Sequence, residues 1–169
     1  MAFVTSNNTV ISFAEYTDVL VRDQRLFEVN EGLSDDVVEP LLERATERIL
    51  TRLRTSNWWQ TYWIRRQTGA AITNIADIPA LDVDRIKNRY SDFTDLCVYT
   101  ALAEYILPLV ADFGNDDSAE RKKMGYYSVR SNELFDELVR SGDWYDFDLD
   151  GTIESTEKQV GYPSRRRVR

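Results

Sequence analysis

The chain contains no histidine and a single cysteine, Cys97, among 169 residues. Those two facts remove whole classes of chemistry. A disulfide within the chain is impossible, and so is a zinc site built from thiolate and imidazole ligands. Imidazole acid–base catalysis and a Ser–His–Asp triad are excluded as well. Cys97 lies in the apolar run LCVYTALAEYILPLV, which reads as a core thiol rather than a reactive one. Glycine and proline are sparse, at seven and four. No glycine-rich phosphate loop occurs, and no setting for catalytic carboxylates is recognisable, so an enzyme is not expected. No uninterrupted apolar run reads as a bilayer span. The N-terminus, MAFVTSNNTV, lacks the basic start and apolar stretch of a signal peptide, so a product made in the cytoplasm is expected.

Positive charge is also in short supply. Lysine and arginine number 21 against 29 acids, for a net charge of −8. The final segment SRRRVR holds four of the arginines, so the rest of the chain stands at −12. An acidic body argues against wrapping nucleic acid, and a basic terminus on such a body suggests a docking arm.

The hydrophobic pattern is helical. SFAE, Ser12 to Glu15, has the form of a capping box and predicts a helix from Phe13 to Arg22. From Asp35, the residues Val38, Leu41, Leu42, Ala45, Ile49 and Leu53 recur on one helix face. Pro40 falls in its first turn or so. Glu39, Glu43 and Glu47 form one charged line beside that face, and Arg44, Arg48 and Arg52 another. Two readings stand: a solvated helix, or a helix wedged between neighbours in a ring, whose head-to-tail contact joins two different faces. NWWQTYWIRRQ holds Trp58, Trp59 and Trp63, read either as core or as an aromatic contact patch. Residues 69–81 read as a loop, with a short helix over Asp82 to Arg89. A nearly all-apolar helix from Ser91 or Asp92 to Phe113 follows, kinked by Pro108. DSAE, Asp117 to Glu120, predicts a last helix to Arg140 with Met124, Tyr127, Leu134, Phe135 and Leu138 inward. Ser141-Gly142 ends it.

The expected fold is therefore all-α: a small bundle of four to five helices with a long buried central helix. Residues 1–11 form an extended N-terminal arm, 12–141 the helical domain, and 142–169 an irregular C-terminal arm with an acidic loop at 146–157 and a basic tail at 165–169.

The acidic loop, DFDLDGTIESTE, matches the calcium loop of an EF-hand. Asp146, Asp148, Asp150, the Thr152 carbonyl, Glu154 and Glu157 occupy positions 1, 3, 5, 7, 9 and 12, with Gly151 at the turn. Its surroundings do not match. Ser141-Gly142 interrupts any incoming helix, Gly161 and Pro163 leave no room for an outgoing one, and no second loop exists to pair with. Calcium binding, a self-ordered acidic turn, and a cluster filled by a partner's basic side chain remain the three readings. No cofactor is required on any of them, and calcium is the one candidate.

In sum, the short helix SFAEYTDVLVRD, an acidic turn and the long DDVVEPLLERATERILTRLR resemble the start of tailed-phage head–tail connector (adaptor) proteins. DFTDLCVYTALAEYILPLVADF and SAERKKMGYYSVRSNELFDELV are similar to the later helices of that bundle. The terminus DLDGTIESTEKQVGYPSRRRVR looks like the aspartate-rich stretch and basic, proline-containing end of some adaptors. The resemblance implies a virion protein at the head–tail junction. It implies a homo-oligomeric ring, commonly a dodecamer, under the portal protein, with a further neck or tail-completion protein on its other side. DNA would pass through the acidic lumen without specific binding, and no membrane is involved. The C-terminal arm would dock on the portal through Arg165, Arg166, Arg167 and Arg169. The alternative is a small calcium-binding regulatory or interaction protein.

Overall fold

Six helices form among the described residues, and the architecture is a small all-α bundle. The structure, a computed structural model, describes residues 3–6, 9–65, 74, 77–114, 118–155 and 157–158. The helices are α1 (Tyr16–Arg22), α2 (Gln24–Val29), α3 (Asp35–Thr55), α4 (Asn57–Arg65), α5 (Tyr90–Val110) and α6 (Ala119–Ser141). The chain divides into two compact units. Unit 1 holds residues Met1–Leu50 and Arg89–Phe135, and unit 2 holds Thr51–Asn88 and Asp136–Arg169.

Unit 1 begins with a feature the sequence reading missed. Residues 3–6 and 9–12 are not a plain arm: β1 (Val4–Ser6) and β2 (Thr9–Ser12) pair antiparallel, with a register shift between Val4 and Thr5. The ring of Phe3 fixes this hairpin, lying 4.7 Å from Phe13 and 5.2 Å from Tyr90. The expected Ser12–Glu15 capping box is displaced three residues. Ser12 ends a strand, and its hydroxyl donates to the Ala14 carbonyl at 2.6 Å. Glu15 is the N-cap of α1 instead, and its amide donates to the Asp18 carboxylate at 2.9 Å. Glu39 reaches from α3 to accept the Tyr16 amide at 2.8 Å, satisfying one of α1's orphan donors.

The predicted face of α3 is the core: Val38, Leu42, Ala45, Ile49 and Leu53 are fully buried, with Leu41 half-buried. Thr46 joins them because its hydroxyl accepts the Phe13 amide at 3.0 Å. Pro40 sits at the sixth helical position rather than in the first turn, and removes one amide from the helix ladder. The charged flanks are partly committed inside unit 1. Arg48 pairs with Glu104 at 3.5 Å, and the Arg44 guanidinium lies 4.9 Å from the Tyr105 ring. Glu43 and Glu47 are exposed.

Helix α5 is long and apolar enough to cross a membrane on length and composition; 67% of its most apolar window is buried, as in a core helix. Its last turns widen into a π-helical stretch, Leu102–Ile106, just before Pro108. The proline ring would crowd the carbonyl four residues back, and a π turn there relieves that. Asp23, between α1 and α2, is buried and receives Lys123 at 2.8 Å and the Tyr127 hydroxyl at 3.3 Å. The Ser118 hydroxyl accepts the Arg121 amide at 3.3 Å at the start of α6, and Asp117, the expected first residue of the capping box, lies outside the described residues.

In unit 2, the short helix expected over residues 82–89 reduces to one 3₁₀ turn, Val83–Arg85. Helix α6 ends where Gly142 takes up a left-handed backbone (φ 57°) and its amide bonds the Leu138 carbonyl at 3.1 Å. The chain then does not leave as an arm. Trp144, Tyr145 and Phe147 are buried, so the core of this unit extends six residues past the expected boundary.

Candidate functional site

The acidic loop is built on an aromatic seat. Helix α4 presents Trp58, Trp59 and Tyr62, and the stretch after α6 presents Trp144, Tyr145 and Phe147. Phe147 stacks on Tyr62 at 3.7 Å and lies 5.5 Å from Trp58 and 5.9 Å from Trp59. Trp58 stacks on Trp144 at 4.7 Å. The expectation of a tryptophan contact patch is corrected here: Trp58 and Trp59 are 2% and 1% exposed, and Trp63 is half-buried. The aromatic run that follows Gly142 covers them, which neither stretch reveals when read separately. The Trp59 indole N–H donates to the Pro79 carbonyl at 2.9 Å.

Backbone pairing completes the seat. Tyr145 forms a β-bridge with Ile86. The Lys87 amide donates to the Trp144 carbonyl at 2.9 Å, and the Asp146 amide to the Arg85 carbonyl at 2.9 Å. The Arg85 guanidinium donates to the Phe147 carbonyl at 3.0 Å. The Asp82 amide donates to the Tyr145 hydroxyl at 3.3 Å. Burial pushes the Tyr145 phenol up to about 12, against the opposing effects of that amide and of Arg85. The 3₁₀ turn thus aims Arg85 along the start of the loop.

The loop itself runs through its own carboxylates. Asp146, fully buried, accepts the Leu149 amide at 2.7 Å and the Gly151 amide at 2.9 Å. Glu157, 2% exposed, accepts three amides: Phe147 at 2.7 Å, Asp148 at 3.2 Å and Glu154 at 3.0 Å. Asp148 accepts the Asp150 amide at 3.3 Å. Asp150 turns onto Thr152, accepting its amide and its hydroxyl at 2.8 Å each. Gly151 has φ +87°, the left-handed backbone that a sharp turn asks of the sixth position. Leu149 is also left-handed (φ 67°) and exposed.

Of the six groups singled out by the loop motif, three come together. Oxygens of Asp146, Asp148 and Glu157 lie within 4.8 Å of one another. That spread matches a calcium coordination sphere, whose ligands sit about 2.3–2.6 Å from the ion, and an all-oxygen donor set suits a hard cation. Asp150 and Glu154 are not in the cluster. No helix leads directly into the loop: the stretch after Gly142 does so, and the residues after Lys158 lie outside the described ones. A carboxylate has about four lone-pair sites, so Asp146 and Glu157 hold acceptor capacity beyond their amide bonds.

The remaining candidates lie apart. Arg165, Arg166, Arg167 and Arg169 fall outside the described residues, as does most of the 69–81 loop. Glu39, Glu43, Glu47, Arg44 and Arg48 belong to unit 1, and Arg52 to the end of α3 in unit 2. Sequence reading missed the role of Arg85 and the 82–88 pairing. The one available signal was the pair of short apolar-aromatic stretches, LDVDRI and WYDF, that have no helical period. Unit 1 has a groove of about 610 Å³ lined by Glu15, Asp18, Val21, Arg22, Thr94 and Asp95, among others. Arg22 in it pairs with Asp95, and the Asp18 carboxylate accepts the Glu15 amide. Compared with family models, with curated proteins and with solved structures, the chain finds no match.

Proposed function

We propose that the chain is a structural subunit of a tailed-phage head–tail connector, one copy of a ring that extends the DNA channel beneath the portal. The observation that carries this reading is the order of elements. The short capped α1, the short α2 and an acidic turn precede the long amphipathic α3; α4, the buried α5 and then α6 follow; an acidic loop comes last, ahead of an arginine-rich terminus. This is the order by which the sequence resembles connector proteins. Two further features support it. The body is acidic, at −12 without the terminal arginines, which suits a wall that DNA slides past. Helix α3 carries exposed Glu43 and Glu47 on one flank and Arg44 and Arg48 on the other, a polarity fit for head-to-tail contact.

The test is genetic and then biochemical. The DNA flanking the gene should encode a portal and capsid proteins on one side and tail proteins on the other. The purified chain should then bind that portal in a pull-down, and deletion of residues 159–169 should abolish incorporation beneath it. Flanks without virion genes would overturn the reading, and so would full incorporation of the deletion.

A second reading, calcium binding by the acidic loop, is favoured by the convergence of Asp146, Asp148 and Glu157 and by the left-handed Gly151. Calorimetric titration with Ca²⁺ tests it: micromolar affinity that is lost in Asp146→Asn supports it, and no heat removes it.

A further inference from the structure

We infer that the acidic loop and the segment Ile78 to Lys87 form one cooperative strap, closed by Glu157, so that opening either part releases the other. The inference concerns unit 2 alone and does not rest on the connector reading. Its first ground is what the 78–87 segment lacks. It has one 3₁₀ turn and otherwise no regular structure of its own. Its backbone order comes largely from partners outside it. Lys87 donates to Trp144, Arg85 accepts from Asp146, Asp82 donates to Tyr145, Pro79 accepts from Trp59, and Ile78 accepts from Arg54. Three of those five partners lie at the start of the acidic loop or just before it.

The second ground is where Glu157 acts. Its carboxylate holds the amides of Phe147 and Asp148 at one end of the loop and of Glu154 at the other. Phe147 is at once the residue closed by Glu157, the ring stacked on Tyr62, and the carbonyl bound by Arg85. Loss of the Glu157 carboxylate leaves a buried amide without its acceptor directly beneath that ring. Each such loss is costly in a buried place, and the cheapest relief is for the Phe147 stretch to move. Movement there breaks the Arg85 and Asp146 bonds in the same step. The coupling must be reciprocal, because two parts that share one open state affect each other equally. A cation or a partner's guanidinium captured by the loop would accordingly tighten residues 78–87, even though it touches none of them.

Amide hydrogen exchange on the full chain tests this. In Glu157→Ala the direct partners, Phe147, Asp148 and Glu154, will exchange faster. The inference requires that Lys87 and Asp146, whose own acceptors are intact, also speed up by about tenfold or more, the size expected from loss of a charge-assisted hydrogen bond. In Arg85→Ala the reciprocal effect is expected at Leu149 and Gly151. Acceleration confined to residues 147, 148 and 154 in the first variant, or absent from 149 and 151 in the second, overturns it. Amides of α4 and of the end of α6 from Asp136 to Ser141, which belong to the same unit but not to the strap, serve as the control for unfolding of the unit. Should Glu157→Ala fail that control, Glu157→Gln, which keeps the shape and one oxygen, is measured against the same two outcomes.

Discussion

Removing the ring of Phe147 is the sharpest single test of the aromatic seat. The residue is buried, with its ring 3.7 Å from Tyr62, 4.8 Å from Tyr145 and within 6 Å of Trp58 and Trp59. Truncating a buried phenylalanine to alanine costs about 3–5 kcal/mol, through lost transfer energy and the cavity left behind. Stacked and edge-on pairs contribute about 0.5–1.5 kcal/mol each beyond area, although pairs that share one ring do not add. We therefore expect Phe147→Ala to lower the stability of unit 2 by about 4 kcal/mol, a large share of the roughly 5–15 kcal/mol typical of a whole domain. Phe147→Leu keeps most of the volume and loses the stacking, so about 1–2 kcal/mol is expected of it. Urea unfolding followed by tryptophan fluorescence measures both. A loss under about 1 kcal/mol in the alanine variant would show that the ring is not seated as described. Equal losses in the two variants would refute the division between volume and stacking.

Other expectations follow from the same geometry. Lys123→Met leaves Asp23 buried without its cation; with side-chain exposures of 7% for Asp23 and 36% for Lys123, the cost should fall between the buried and exposed limits, at about 2 kcal/mol. Adding Asp23→Asn should recover part of it in urea melts followed by circular dichroism. Gly151→Ala meets no atom within 4 Å, so its cost is the left-handed backbone alone, about 1 kcal/mol. Stability should also fall at high pH. Burial pushes the Cys97 thiol from 9.0 to about 11 and the Tyr145 phenol from 10.0 to about 12, and burial with the Asp23 carboxylate pushes Tyr127 up too. Each raised value favours the neutral form in the fold. The stabilisation is complete below the unfolded values and is lost as pH climbs towards the folded ones. The Tm should hold to about pH 8.5 and decline from there to pH 12, and a flat profile to pH 11 would contradict this.

Much of the helical body was legible because its signals are local and periodic. The face of α3 from Val38 to Leu53 needs only the 3.6-residue repeat, and the all-apolar α5 could only be central. What failed depended on partners distant in sequence. The capping box at Ser12 is a valid local signal that lost to strand pairing with Val4 and to the hydroxyl's bond with Ala14. The tryptophans of α4 looked too numerous to bury because their cover, Trp144 to Phe147, lies some 80 residues away in a stretch with no period. The loop motif correctly located the Gly151 turn, since each position there is set by its immediate neighbours. It did not foresee that Asp150 would bond Thr152 rather than join Asp146, Asp148 and Glu157.

The placement of the rarer side chains has a practical consequence. All four tryptophans, Trp58, Trp59, Trp63 and Trp144, belong to unit 2, whereas the one thiol, Cys97, is buried in unit 1. The native chain therefore carries two reporters that do not overlap. Indole fluorescence follows the aromatic seat, and the rate at which a thiol reagent labels Cys97 follows the opening of α5 and its surroundings. Running the two against the same urea series would show whether the halves of this protein melt as one or in turn, with no substitution introduced.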